Sequence, residues 1–402
     1  MSSPLRLNVE ASSPARLTTP SFEDALINSL DMDSWVTGVN LAELYEGINQ
    51  DIIKSALQNE AKSDKIIRAE LFPKIIGSLK NIDPSIAHHQ FSSFMIEQAH
   101  LGLLFNGATE AVDGTLVTHD TLPLTIAQIG VCSVSYQGEM GAYSHRLYRK
   151  DLQIQGDGSL EEVMQLLEGR RNAGTTDASD EGSVSNKSKL AQRALMSYAE
   201  RAILMDKSKA VWRVGHGSPI PYELLTGYWA GRAEMTKAAI SLFEKIIKHK
   251  KFLFVPSATT HRELLAIGNA LEPLEYIIVD TLTNNLNKII DNGGTRGDKL
   301  EIQKKFVKEH GDSIVMGLYK ASSIAPAYLF YAHKDYFQTA ALIAMADSVL
   351  QEHRGFPMLI DIADNICSAT FSPETFYSSI RNAYAEAGQP FKYLSERETR
   401  NR

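Results

Sequence analysis

Apolar residues recur at helical spacing over the first hundred residues, give way to β-branched runs, and return to helical spacing at the end. Leu41-Ala42, Leu44-Tyr45 and Ile48 fall on one helical face, and Ile66, Leu71, Ile75-Ile76 and Leu79 on another. Asp83-Pro84-Ser85 interrupts the pattern and caps a further helix toward Leu104. Strand signals follow. An apolar run closes at Val112 before Asp113-Gly114, residues 124–136 are rich in β-branched side chains, and residues 142–154 can return as their hairpin partner. Residues 160–170 and 190–205 are helical, separated by a Gly/Ser/Thr/Asp-rich stretch, 172–187, that has almost nothing to bury and is expected to be a mobile loop. A strand over 210–215, a long helix over 221–250, a strand over 252–256, and a helix over 259–270 begun by a threonine cap come next. Strands over 313–319 and 326–331 then precede three closing helices, 338–353, 357–370 and 373–386.

Paired strands followed by strands alternating with helices predict an α/β fold, a mixed sheet flanked by helices with an N-terminal helical extension. The expected division is a disordered leader (1–20), a helical region (21–106) and the sheet domain (107–402). With 402 residues, 44% of them hydrophobic, the chain can bury a large core. Its net charge of −7 argues against a generally basic surface, so any nucleic acid would be met in a local channel or delivered by a partner. Cys132 and Cys367 read as buried small hydrophobes of a reducing cytosol rather than a disulfide. The Ser/Pro/Thr-rich start lacks the apolar core of a secretion signal, and no run approaches the roughly 18 apolar residues a membrane span needs. A soluble, cytoplasmic protein is expected.

Four side chains raise a chemical possibility. Asp113 ends an apolar run as Ala-Val-Asp-Gly-Thr, where a carboxylate suits a cation better than it suits packing. Asp-Gly-Thr is also ordinary turn sequence. Glu200 borders a helical stripe of Leu195, Tyr198-Ala199 and Ala202-Ile203; the alternative is a solvated glutamate paired with Arg201 or its neighbours. His216 follows the strand Val211 to Gly215 and precedes Gly217-Ser218-Pro219, either as a ligand or as a hydrogen-bonded structural histidine. Asp364 lies beside the stripe of Leu359-Ile360, Ala363 and Ile366-Cys367, with Asp361 one turn earlier as a competitor. Phosphodiester hydrolysis near neutral pH generally uses Mg²⁺ or Mn²⁺ held by carboxylates, sometimes with one imidazole.

The order of several blocks resembles the NurA nucleases, which work with HerA-type hexameric translocases. Ala111 to Thr115 is similar to the family's first metal-binding strand end, and Met196 to Met205 to the helix carrying its glutamate. Trp212 to Leu225 occupies the place of a second strand ending in Asp-Gly-Ser-Leu. Val255 to Leu265, Asp280 to Lys299 and Gly355 to Asp364 resemble the later strand–turn–helix, Gly-x-Arg-Ser and Gly-Tyr-Pro blocks. Two ligands are exchanged: His216 stands where the family has Asp, and Asp364 where it has His, which keeps the chemical inventory. Phe356 replaces a family Tyr.

The resemblance implies an RNase-H-like core and a metal-dependent DNA nuclease, endonucleolytic on single strands and 5′→3′ exonucleolytic, serving DNA end processing or anti-phage defence. Asp113, Glu200, His216 and Asp364 would hold Mn²⁺ or Mg²⁺, and Arg262 and Arg296 would contact backbone phosphates unless they make helix-end salt bridges. The implied partners are DNA, a HerA-like ATPase hexamer and a second copy of the chain. The exchanged ligands also admit an inactive adaptor that regulates the translocase. An actin-like phosphotransferase lacks its second phosphate loop here.

Overall fold

The computed structural model describes residues 23, 26–27, 29–35, 42, 45–46, 53–121, 124–138, 140–150, 183–227, 233–258, 261–292 and 296–393. The expected leader, the helix over 160–170 and the stretch 172–182 lie outside the described residues. The chain divides into two compact units, Met1–Ala61 and Lys62–Arg402. Within the first, a short 3-10 turn, Met32–Ser34, is capped by the Asp31 carboxylate, and the Trp35 indole N–H donates to the Ser29 carbonyl at 2.9 Å.

The second unit is built on one nine-stranded sheet. Its strands in chain order are β1 (His89–Gln90), β2 (Thr109–Asp120), β3 (Leu124–Val134), β4 (Met140–Lys150), β5 (Trp212–His216), β6 (Phe252–Val255), β7 (Glu275–Thr281), β8 (Ile314–Lys320) and β9 (Tyr328–His333). Their order across the sheet is β1-β7-β8-β9-β6-β5-β2-β3-β4. β2, β3 and β4 form an antiparallel meander; β5 lies parallel to β2, and β6 parallel to β5. That five-strand pattern is the RNase-H-like arrangement. Four further strands extend the sheet beyond β6.

Helices cover both faces. The described helices include α1 (Lys54–Ile66), α2 (Phe72–Leu79), α3 (Ser93–Ala99), α4 (Ser183–Asp206), α5 (Tyr222–Thr226), α6 (Ala233–His249), α7 (Arg262–Asn269), α8 (Leu282–Asn292), α9 (Asp298–His310), α10 (Phe337–Val349), α11 (Met358–Thr370) and α12 (Pro373–Glu386). One core layer joins Val112, Ile129, Val131 and Phe254 to Ala194, Leu204, Phe243 and Phe306. The other joins Ala111, Val214, Val255 and Phe330 to Ile96, Ala344, Leu359 and Ala363. Each fully buried Leu, Ile or Phe contributes roughly 1.5–3 kcal/mol of apolar transfer, before the entropy of ordering the chain.

Several local expectations change. β2 does not end at Asp113: it runs on to Asp120, with Asp113 paired to Cys132 and Gly114 to Val131. Residues 183–187 are helical rather than loop, because they form the first turns of α4. The helix expected over 221–250 is interrupted where Gly227 adopts a left-handed conformation, φ 54°, closing α5. α7 starts at Arg262, after His261 and without a side-chain cap. Glu275–Thr281, where the sequence pattern predicts no strand, is a strand between β1 and β8. Residues 62–106 are also built into the sheet unit rather than standing apart from it. β1 pairs with β7, and Arg68 grips the Glu275 carboxylate with two hydrogen bonds of 2.6 and 3.0 Å.

Candidate functional site

The carboxyl ends of parallel strands leave a natural crevice where neighbouring strands part. Here β2 and β5 run together from Thr109/Trp212 to Val112/Gly215. The next residues are Asp113 and His216. Side chains alternate along a strand, so both leave the face that carries Val112 and Gly215 and point to the opposite one. That opposite face is covered by α11: Cys132, the register partner of Asp113, interacts with Cys367 of α11. The two side chains meet there, with His216 Nδ1 3.6 Å from Asp113 Oδ1. Asp113 is buried, and its Oδ1 also accepts the Gly114 N–H at 2.8 Å. His216 Nε2 accepts the Ser257 backbone N–H at 3.3 Å. The ring of Phe356 stands edge-on to the imidazole, centroids 6.1 Å apart. The neighbouring Asp113 carboxylate leads the influences that raise the His216 pKa, ahead of the opposing effect of burial.

Glu200 arrives from α4 on the other face. It reaches the rim because Gly114 has no side chain: a Cβ there would lie 2.5 Å from Glu200 Oε1 and 3.0 Å from its Cγ. The glycine expected to turn the chain instead opens a gap within a continuous strand. Burial, then the nearby Asp113 charge, pushes the Glu200 carboxyl up to about 7, against the lowering influence of Arg201 and His216. The buried stripe of α4 is Ala194, Ser197, Glu200-Arg201 and Leu204-Met205, displaced around the helix from the stripe read in the sequence. Both charged residues therefore face inward, and Glu200 is not a solvated helix acid.

Asp364 is exposed on α11. Its pKa is raised, by partial desolvation first and by Asp113 second, with Ser368 and His216 acting against the rise. Of the four residues named from sequence, Asp113 and His216 meet directly, while Glu200 and Asp364 each feel the charges of that pair. Asp361 is instead paired with Arg354. Arg262 and Arg296 are exposed at the approaches to α7 and α9.

Among the described residues, no group of three or more His, Cys, Asp or Glu side chains is poised to chelate a metal ion. The donor chemistry nevertheless fits a hard divalent cation: three carboxylates and one imidazole, with mutual acid repulsion that a cation would relieve.

Sequence reasoning passed over Arg201 except as a surface partner. It is buried, and its guanidinium donates to the carbonyls of Ser197 (2.8 Å), Pro219 (3.3 Å), His216 (3.3 Å) and Ser218, and to Glu200 Oε2 (3.1 Å). Its carbon lies 5.3 Å from the Phe254 ring centroid. The available signal was its place beside Glu200, one helical turn from the small residue Ser197. With Val112, Leu204, Gly215, His216 and Phe254, Glu200 and Arg201 line a tightly packed cleft.

No sequence-family model and no curated protein matches the chain. Among solved structures, it is similar to the NurA nuclease from Sulfolobus solfataricus, at 10% identity and TM-score 0.42, covering 86% of this chain and 98% of that one. It is also similar to NurA bound to dAMP and manganese, at 10% identity and TM-score 0.40, with 79% and 92% covered. The catalytic domain of human endonuclease V matches at 11% identity and TM-score 0.29, with 79% and 98% covered.

Proposed function

We propose that this protein is a cytoplasmic, metal-dependent DNA nuclease that uses Asp113, Glu200, His216 and Asp364 at the sheet rim. The observation that supports the proposal is the Asp113–His216 pair at the parting of β2 and β5, with Glu200 buried, shifted to about 7 and, like Asp364, close enough to feel the Asp113 charge. Two buried acids near one another are costly to maintain, and a structural role would be served more cheaply by hydrogen-bonded neutral groups.

Mn²⁺ or Mg²⁺ bound by these side chains would supply charge neutralisation at the scissile phosphate and acidify water. The chain's own groups do the rest. Asp113 is fixed by the Gly114 N–H and presents its carboxylate at the rim. Glu200 can hold or release a proton near neutral pH, so its charge can change as a cation arrives at the rim. His216, held between Asp113 and the Ser257 N–H, keeps the carboxylate oriented. Arg262 and Arg296 are exposed cations suited to backbone phosphates.

The expected activities are single-strand endonuclease and 5′→3′ exonuclease, in a homodimer coupled to a HerA-like translocase, for end processing or defence. Wild type with Mn²⁺ should cut single-stranded or linear duplex DNA, and Asp113→Ala should not. A second reading, an inactive adaptor on the translocase, is favoured by the lack of a ready three-donor cluster among the described residues and by the Arg201 bond to Glu200. Intact DNA with both proteins, even with the translocase present, would replace the first reading with the second.

A further inference from the structure

We infer that Arg201 is the positioning residue of this rim, setting the orientation of Glu200 and of the chain leaving β5 so that Glu200 faces a divalent cation through Oε1 alone. The inference rests on the metal-site reading and specifies how that site is organised. Arg201 is nine-tenths or more buried and its fork is committed to five acceptors on three segments: Ser197 and Glu200 on α4, His216 at the end of β5, and Ser218 and Pro219 behind it. The Phe254 ring of β6 backs the guanidinium plane. Oε2 of Glu200 is engaged by this fork, while Oε1 lies over the gap at Gly114.

A guanidinium suits this task and an ammonium does not. Its planar donors have fixed directions, so holding several acceptors also fixes their relative positions. The same positive charge beside a ligand would repel an incoming metal if it did nothing else. Positioning and repulsion therefore predict opposite effects when Arg201 is replaced. Loss of a positioning partner should weaken metal binding about 10–100-fold, whereas loss of a merely repulsive charge should tighten it.

The test is Mn²⁺ affinity by calorimetry on the full chain, for wild type, Arg201→Lys and Arg201→Met, with folding checked by circular dichroism. Both variants are expected to bind at least tenfold more weakly, Lys failing to rescue because it cannot span the five acceptors. Affinity equal to or tighter than wild type in Arg201→Lys overturns the inference while leaving the metal site in place. Absence of Mn²⁺ binding by wild type overturns the site reading and this inference with it. A second measurement needs no variant: in ¹⁵N-labelled wild type, the Arg201 guanidinium signals should resist solvent exchange and shift on addition of Mg²⁺. Signals that exchange freely and do not respond would count against the positioning role even if both variants failed to fold.

Discussion

At the residue scale, Gly114 shows how one missing methyl can place a carboxylate. Asp113 and Gly114 are consecutive on β2 and so face opposite sides of the sheet, yet Glu200 must come from the Gly114 side to join Asp113. Gly114→Ala would drive Cβ into Glu200 and against Met196 Cγ at 3.1 Å. The expected cost is ~1–3 kcal/mol of stability, as for other overpacked cores. The larger effect should be on Mn²⁺ affinity, because Glu200 is the group displaced; chemical denaturation and calorimetry on one preparation separate the two. Protons should compete for the same site. The carboxyl of Glu200 is held near 7 by burial and by Asp113, and the His216 pKa is raised, chiefly through Asp113. Both groups must lose a proton to bind a cation, so Mn²⁺ affinity should climb as pH rises through about 7 and level off above it. An affinity flat between pH 6 and 8 would show that neither group joins the metal.

At the element scale, the rim depends on α11 being seated over β2 and β3. Its start is held by Asp347 of α10, whose Oδ2 accepts the Leu359 N–H at 3.0 Å and whose Oδ1 accepts the Tyr136 hydroxyl. Burial pushes this carboxyl up to about 6. Its far end is held by Phe371, packed where Gly130 leaves β3 bare. Asp347→Ala strands a buried N–H and a half-buried hydroxyl, and should cost about 1–3 kcal/mol, most of it from the N–H. Urea denaturation measures the loss, and tyrosine spectroscopy would report the release of Tyr136. Much of this architecture was legible in the sequence. Of the stripe Leu359-Ile360, Ala363 and Ile366-Cys367, all but the half-buried Ile366 are buried as the spacing implies, and the β3–β4 hairpin lies where the β-branched run places it; the strand expected to stop at Gly215 takes in His216 as well. The failures have physical causes. Asp113-Gly114 carries turn residues but is held extended by its pairing with Cys132 and Val131 of β3. α4 buries Glu200 and Arg201 because they satisfy each other and nearby carbonyls, which a hydrophobic periodicity cannot register. Arg68, distant in sequence, likewise stabilises the acid that opens β7.

At the scale of the whole molecule, residues 62–106 complete the sheet unit. Phe72, Leu79, Ile86, Phe91, Ile96 and Leu104 are all buried, and Tyr276 of β7 stacks on both His89 and Phe91, with centroids 5.5 and 5.1 Å apart. β1 closes the β7 edge of the sheet, which an unpaired strand would otherwise expose to other chains. Arg68 neutralises Glu275, which is buried and also receives the Glu272 N–H at 2.7 Å. Burial alone would raise the Glu275 pKa; Arg68, Glu272 and His88 outweigh it and hold the carboxyl below its usual range. The ion pair therefore stabilises the fold above the ordinary glutamate pKa, and that contribution fades as pH falls through the lowered folded value. Deleting residues 1–100 would remove five of those six apolar side chains, an edge strand and the cation of a buried pair. The apolar loss alone is on the order of 10 kcal/mol at roughly 1.5–3 kcal/mol per side chain, comparable to the entire stability of a typical domain. Such a truncation should yield insoluble or uncooperatively melting protein, whereas Arg68→Ala, which spares the apolar contacts, should cost about 2 kcal/mol and still fold. A thermal melt of the truncated chain that matched the full-length transition would mean that the sheet unit closes without its first helices.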